Sequence, residues 1–447
     1  MMNHFDALAL SQQFQHKQLD PVRLLEQTFE KVSHTCNVFI SLCQERAFRE
    51  ALAAKARWDA GQPLSLLDGV PLSWKDLFDI NGYRTTAGSQ VLADDPTKMQ
   101  DADLVLKLAQ VGMVSVGKTN LSEFAYSGLG LNPYFGHPQN IYDSQCIAGG
   151  SSSGAAISVG HGCVPIGMGT DTAGSIRIPA AFNGLVGFRS SHDRYSKRGV
   201  FELSKTLDTL GPLATSVRDC IALDQSILGK NSFDLPIPQG DFKSIHFVVD
   251  VRILEHSSIQ PAVKSNFEKS LAKLEQAGCH IEYRPIDAFQ KSLDLVDQGL
   301  WLGAAEAFTR HETLLNSPDA TKIDQRIRTR LERSRGFLAS EQIKLYFLQQ
   351  ELKQTIQKSL NGSILLTPTV AHTAPQIQPL EENEALFFET NMRTLRLTMP
   401  GSFLDMPGIT LPNGFAENSL PTAILLSSFS GDDGKLLRIA HRVEEIL

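Results

Sequence analysis

An α/β fold with a mostly parallel sheet is predicted for this chain, on three observations. Helical and strand patterns alternate along it, the arrangement that builds parallel sheets from strand–helix units. Hydrophobic residues make up 42% and charged residues 20%, an ordinary balance for a soluble globular protein. The length of 447 residues could hold two or three average domains, yet a single α/β core can also run this long.

Asp20-Pro21 is a helix start with proline at the first helical position, and Leu24, Leu25, Thr28, Phe29 and Val32 recur on one face. A second helix spans Glu45 to Ala60 and stops at Gly61-Gln62-Pro63; together these two form a cover over the core. Residues 101–111 carry Leu104, Val105 and Leu108 at helical spacing, Gly112 ends the run, and Met113 to Val116 reads as a strand. Further on, Asn231 to Gly240 is a proline-containing surface connection. It leads to a strand at Ser244–Val251, a helix at Ile259–Ala277 and a strand at His280–Tyr283. Thr321 to Lys358 is charged and helical, an excursion that could line a substrate entrance.

The chemistry concentrates between Gly149 and Pro179, GGSSSGAAISVGHGCVPIGMGTDTAGSIRIP. Gly149, Gly150 and Gly154 give the backbone conformations that other residues resist, so Ser151 to Ser153 can occupy a tight loop. Val164 to Gly169 reads as a buried strand delivering Thr170 to Ser175 to a corner. A serine at such a corner can face bare N–H groups, the raw material of an oxyanion hole. It still needs a base, because an alcohol alone is a weak nucleophile. An apolar approach upstream, Gly69-Val70-Pro71-Leu72-Ser73-Trp74, ends in Lys75.

With Lys75 upstream and Ser151 and Ser175 set 24 positions apart, the chain resembles the amidase signature family. Lys118-Thr119-Asn120-Leu121-Ser122-Glu123-Phe124 is similar to its KTN-x-x-EF segment, Leu366 to Thr369 to its LTPT, and Pro407 to Gly414 to its closing proline-glycine pattern. The likeness runs from about Pro21 to the end. It implies one domain over residues 1–447, a mixed, mostly parallel sheet covered by helices on both faces. Within that domain lie an N-terminal helical cover (1–65), a catalytic core (66–230), an αβ segment with the helical excursion (231–360) and a C-terminal part of the core (361–447).

The resemblance further implies an amidohydrolase for a small amide. Ser175 would be the acylated nucleophile, Ser151 a cis-peptide serine relaying its proton, and Lys75 the base. The N–H groups of Thr172, Ala173 and Gly174 would hold the oxyanion. Phe124, Ala125 and Tyr126 would line the acyl pocket, although they could equally be plain core, and Arg177 would either read a substrate carboxylate or form a structural ion pair. Asp171 would brace the turn. No metal or organic cofactor is implied. The same resemblance leaves open the glutamine-hydrolysing A subunit of a tRNA-dependent amidotransferase, and assembly as a homodimer or with a small accessory subunit. Two departures stand out: Cys146-Ile147-Ala148 where Arg-(I/V)-Pro is usual, and Ser419 where glycine often precedes Leu-Pro.

Competing readings of the same residues are concrete. Lys75 could be a surface lysine pairing with Asp76 or Asp79, and Ser175 could cap the segment Ile176-Arg177-Ile178. Gly112 to Thr119 satisfies GxxxxGK(S/T), but a phosphate cradle needs a strand before the first glycine and a helix after the lysine. Here a helix precedes Gly112 and the residues between are apolar enough to be the strand themselves. Cys146 has no identifiable histidine partner, and no histidine, His161 and His192 included, falls in an HExxH pattern. A net charge of −7 and pI near 6.0 argue against an extended nucleic-acid surface. No leader or membrane-length apolar run is visible and the six cysteines are scattered, so the expected setting is the cytoplasm, with no membrane contact.

Overall fold

Strands whose residues are buried on both sides assemble into one sheet with both faces covered. The computed structural model describes residues 6–230 and 242–447, so the Asn231–Gly240 connection lies outside the described residues. Among them, eleven strands run in the order β1-β3-β2-β4-β6-β5-β10-β11-β9-β7-β8. They are β1 (Phe39–Leu42), β2 (Pro71–Lys75), β3 (Val114–Thr119), β4 (Ile166–Asp171), β5 (Val186–Arg189), β6 (Thr209–Ala214), β7 (His246–Val249), β8 (His280–Tyr283), β9 (Ile364–Pro368), β10 (Gly408–Phe415) and β11 (Pro421–Ser427).

Alternation along a strand sends successive side chains to opposite faces. Phe247 and Val249 join Ile364, Leu366, Ile409 and Ile424 in one hydrophobic cluster, while Val248, Leu365 and Ala423 enter another on the opposite face. The fold is a single α/β domain with a mixed sheet, as expected. The parallel share is smaller than expected: β2 runs parallel to β3 and β4, and β7 to β8 and β9, whereas the other six pairings are antiparallel. β1, not expected from the sequence, closes one edge antiparallel to β3.

Several boundaries follow local chemistry closely. The helix Pro21–Ser33 begins where the Asp20 carboxylate accepts the Val22 and Arg23 N–H groups at 2.9 and 3.0 Å. Its Leu24, Leu25, Thr28 and Val32 are buried. The next helix is Gln44–Asp59, and Gly61 follows with φ of +68°. The strand expected at Val164–Gly169 lies two residues later, at Ile166–Asp171. Pro165 cannot donate to a ladder, whereas Thr170 and Asp171 pair with Leu210 and Thr209 of β6. The phosphate-loop pattern is spent on β3 itself, buried throughout, and Lys118 pairs with Asp76 at 2.6 Å. The charged excursion divides into two helices, Gln325–Glu332 and Ala339–Leu360. Among the described residues no helix is long and apolar enough to cross a membrane.

Candidate active site

β2 and β4 lie side by side and parallel, with Trp74 opposite Met168, so Lys75 and Thr170 emerge together at the carboxyl ends of their strands. Such ends are where open α/β sheets bind ligands. The helix Ser153–Gly160 sits tightly on β4 because Gly167 and Gly169 leave room: a Cβ on either would come within 2.8 Å of Ala155 O or Ser152 Oγ. That approach presses the Gly149–Ser153 loop against the strand ends. Gly150 is required there, since a Cβ would lie 2.6 Å from the Gly130 nitrogen. The Gly150–Ser151 peptide is cis.

Lys75 is fully buried, and its Nζ lies 2.7 Å from Ser151 Oγ and 2.8 Å from Thr170 Oγ1. It pairs with neither nearby acid: Asp76 is taken by Lys118 and Asp79 by Lys98. Burial pushes the Lys75 ammonium down to about 7, against the opposite pull of Asp208 and Asp171. Near neutral pH a large fraction of molecules therefore carries an uncharged amine beside the Ser151 hydroxyl.

Ser175 follows directly. Its carbonyl accepts the Ser152 N–H at 3.2 Å, which ties the nucleophile candidate to the serine loop. It does not cap the helix Arg177–Phe182, whose preceding residue is Ile176. Its hydroxyl forms no hydrogen bond to Ser151 or to any other described residue, and it lines a small cavity of about 20 Å³. Thr172, Ala173, Ala125 and Tyr126 line the same cavity. Phe124 does not: its ring packs on His311 and Phe201.

Two sequence expectations need correction. The Gly174 N–H is committed to Asp171 Oδ1 at 2.8 Å, leaving the N–H groups of Thr172 and Ala173 without a protein acceptor among the described residues. Arg177 does not face a substrate: it is fully buried, with Nε 3.0 Å and Nη2 2.9 Å from the Asp171 carboxylate, and Nη2 also donates to Ser402. Asp171 is the brace of the turn, also accepting from Ile176 N at 3.2 Å and from Arg189 Nη1 at 3.1 Å. Burial alone would raise its carboxyl, but Arg177 and Arg189 outweigh that and hold it well below the usual carboxylate range.

Three further residues escape sequence reading. Thr170, on the strand rather than in the turn, partners Lys75. Asp208 accepts the Thr172 hydroxyl at 2.5 Å. Arg330, half-buried, donates to Tyr126 O at 2.6 Å and lies over the Tyr126 ring at 4.3 Å; among the described residues no carboxylate pairs with it. It lines both the inner cavity and an outer chamber of about 610 Å³ walled by Trp301, Phe337 and Met392. Nothing in the local sequence distinguishes Arg330 from its charged neighbours. Cys146 is no nucleophile, since burial and the neighbouring Asp143 push its thiol up to about 12.

The fold brings Lys75 and Ser151 into contact beside the cavity that Ser175 lines, and comparison with known proteins supplies the family. The amidase family model matches residues 21–437, and the chain belongs to that family, the amidase signature enzymes. It is an amide-hydrolysing enzyme. It is 31% identical to mandelamide hydrolase of Pseudomonas putida, over 97% of this chain and 89% of the relative. The A subunit of glutamyl-tRNA(Gln) amidotransferase from Pseudomonas putida (strain W619) is 29% identical over 92% of this chain and 90% of its own length. The crystal structure of an amidase superposes with a TM-score of 0.87 at 29% identity, covering 99% of this chain and 100% of that one.

Proposed function

We propose that this enzyme cleaves the C–N bond of a small carboxylic amide through an acyl-enzyme on Ser175. The observation that carries the reading is the 2.7 Å contact between Lys75 Nζ and Ser151 Oγ inside a fully buried site beside Ser175. Uncharged Lys75 takes the Ser151 proton as Ser151 takes that of Ser175, and the Ser175 oxygen attacks the carbonyl carbon. The Thr172 and Ala173 N–H groups receive the developing oxyanion. The proton returns by the same route to the leaving nitrogen, releasing ammonia or an amine. Water then adds to the ester and frees the carboxylic acid and Ser175. The Ser175 hydroxyl engages Ser151 once substrate excludes water, since such bonds often tighten only in the Michaelis complex.

Arg330 narrows the substrate. A guanidinium at the cavity without a carboxylate partner among the described residues offers charge-assisted, bidentate recognition of a carboxylate on the amide substrate. We assign it that role in place of Arg177, so half-amides of dicarboxylic acids are the favoured class. Incubation with a reactive ester or amide followed by mass spectrometry of proteolytic fragments tests the chemistry. A stoichiometric adduct on Ser175 supports it, and an adduct on any other residue refutes it.

A second reading is favoured by the amidotransferase A subunits among the relatives, which match over most of their length. Glutamine carries both an amide and a carboxylate, so the same site would serve. Ammonia release from glutamine that appears only with a co-purified partner would favour that reading, and hydrolysis by the isolated chain would favour the first; the cytoplasm is the setting we propose for either.

A further inference from the structure

Asp208 is a buried carboxylate that meets no cation directly among the described residues. Its Oδ1 accepts the Thr172 hydroxyl at 2.5 Å, and its Oδ2 accepts the N–H groups of Leu203 and Ser204 at 2.8 and 3.0 Å. Its own N–H closes the loop by donating to Ser204 O at 3.0 Å. Thr172 and Leu203 both line the cavity that holds Ser175, on segments separated by thirty residues of chain. A single carboxylate therefore joins two walls of the site. A buried charge without a counter-ion is expensive to keep, and an amide or hydroxyl could have met one or two of these donors more cheaply. Three donors converging on one side chain call for a carboxylate, whose two oxygens accept without donating.

We propose that Asp208 is a positioning residue for the hydrolytic reaction, locking Thr172 and the Leu203–Ser204 stretch into the one arrangement in which the Thr172 N–H is presented to the reacting carbonyl. The inference rests on the Ser175 acyl-enzyme reading above. Hydrogen bonding of the side-chain oxygen fixes the residue whose main-chain N–H is left without a protein acceptor among the described residues. Asp171 fixes the other side of the same turn through Gly174. The two carboxylates thus grip the turn at Thr172 and at Gly174, with Ala173 between them.

The same charge faces Lys75, whose ammonium Asp208 and Asp171 both favour. The other charged groups around Asp208 are Lys197, which donates to Asp208 O at 3.3 Å, Arg189, which holds Leu207 O at 3.2 Å, and Glu306, bound through the Ser204 hydroxyl at the far side. Removing the Asp208 charge therefore has a second, separable consequence. Lys75 loses its protons more easily, and the acid limb of kcat/KM moves to lower pH.

The test compares wild type with Asp208→Asn and Thr172→Val on one amide substrate, with Ser175 acylation by a reactive ester measured alongside. Thr172→Val keeps the main-chain N–H and removes only the hydroxyl, so it reports the lock without disturbing the buried carboxylate's other partners. The expected result is a fall in kcat of about 10- to 100-fold in each variant. KM should stay within about 3-fold, and the double variant should be little worse than either single one. In Asp208→Asn, but not Thr172→Val, the acid limb moves down in pH. The inference is overturned if Thr172→Val retains wild-type kcat, or if the loss in Asp208→Asn only tracks the fraction of protein that fails to acylate while the acid limb stays in place. Failure of the wild-type enzyme to acylate at Ser175 would instead sink the underlying mechanism, so the two failures are distinguishable.

Discussion

Thr170 Oγ1 accepts a hydrogen bond from Lys75 Nζ at 2.8 Å, so the amine that faces Ser151 is held from a second side by the neighbouring strand. An uncharged amine has one lone pair. With Thr170 taking one of its N–H groups, that lone pair is free to point at the Ser151 hydroxyl. Thr170→Val should therefore lower kcat/KM by about 10-fold, the worth of one buried hydrogen bond. An ammonium donates more strongly than an amine, so losing the acceptor disfavours the charged form. The acid limb of the rate profile should move to lower pH, which a pH titration of initial rates will reveal.

The turn between Asp171 and Arg177 is predicted to be the most fragile part of the site. Replacing Asp171 by Asn leaves Arg177 and Arg189 buried with reduced compensation, a loss of about 3–5 kcal/mol measurable by denaturant unfolding. The pH dependence of that contribution has a definite sign. The folded carboxyl is held below its ordinary value of 3.8, so its stabilisation is fully present above the ordinary carboxylate range and is lost as pH falls into strong acid. Stability in wild type should thus lose this contribution only at very low pH, and Asp171→Asn should flatten that part of the curve.

Arg330→Met separates substrate recognition from chemistry. For an amide carrying a carboxylate, kcat/KM should fall by about 100-fold, the value of a charge-assisted contact near 3 kcal/mol. For a neutral amide of the same size it should change by less than about 3-fold, because the guanidinium has nothing to pair with there. Steady-state kinetics on the matched pair checks this, and equal losses on both would remove Arg330 from substrate recognition.

How much of the site is legible in the sequence differs residue by residue. Ser151 and Ser175 stand out because glycines and small residues must surround them for the chain to pass, and the backbone requirement leaves a local trace; Lys75 stands out as the charged end of an apolar approach. Gly150 and Gly174 show it physically: one abuts the Gly130 nitrogen, the other has φ of +138° and is backed by Thr398. Thr170 falls in the turn on local pattern because the strand's end is set by pairing with Leu210 and Thr209, a non-local fact. Arg177 resembles a ligand for substrate because it lies two residues from Ser175, whereas its partner, Asp171, lies on the preceding strand. Arg330 leaves no local trace, since its place depends on the helix Gln325–Glu332 docking its side chain against Tyr126, more than two hundred residues away. The parallel share of the sheet is overestimated from sequence for a similar reason. β10 and β11 pair as a hairpin and enter the sheet between β5 and β9, an insertion that helix–strand alternation does not announce.

Lys75 is predicted to diminish stability while enabling activity. Its ammonium is pushed from 10.5 to about 7 by burial, so keeping it in place costs a few kcal/mol at neutral pH and below, and less as pH rises toward 10. Lys75→Met should fold with a thermal midpoint equal to or above that of wild type at pH 7, read by calorimetry.

The most direct measurement is the rate of Ser175 acylation as a function of pH in wild type and in Lys75→Met. The wild-type rate should climb with pH and level off above about 7, and the variant, folded, should acylate at least about 1000-fold more slowly at neutral pH, with no inflection near 7. Acylation of Lys75→Met at the wild-type rate, or a wild-type profile that is flat from pH 5 to 9, would contradict the account.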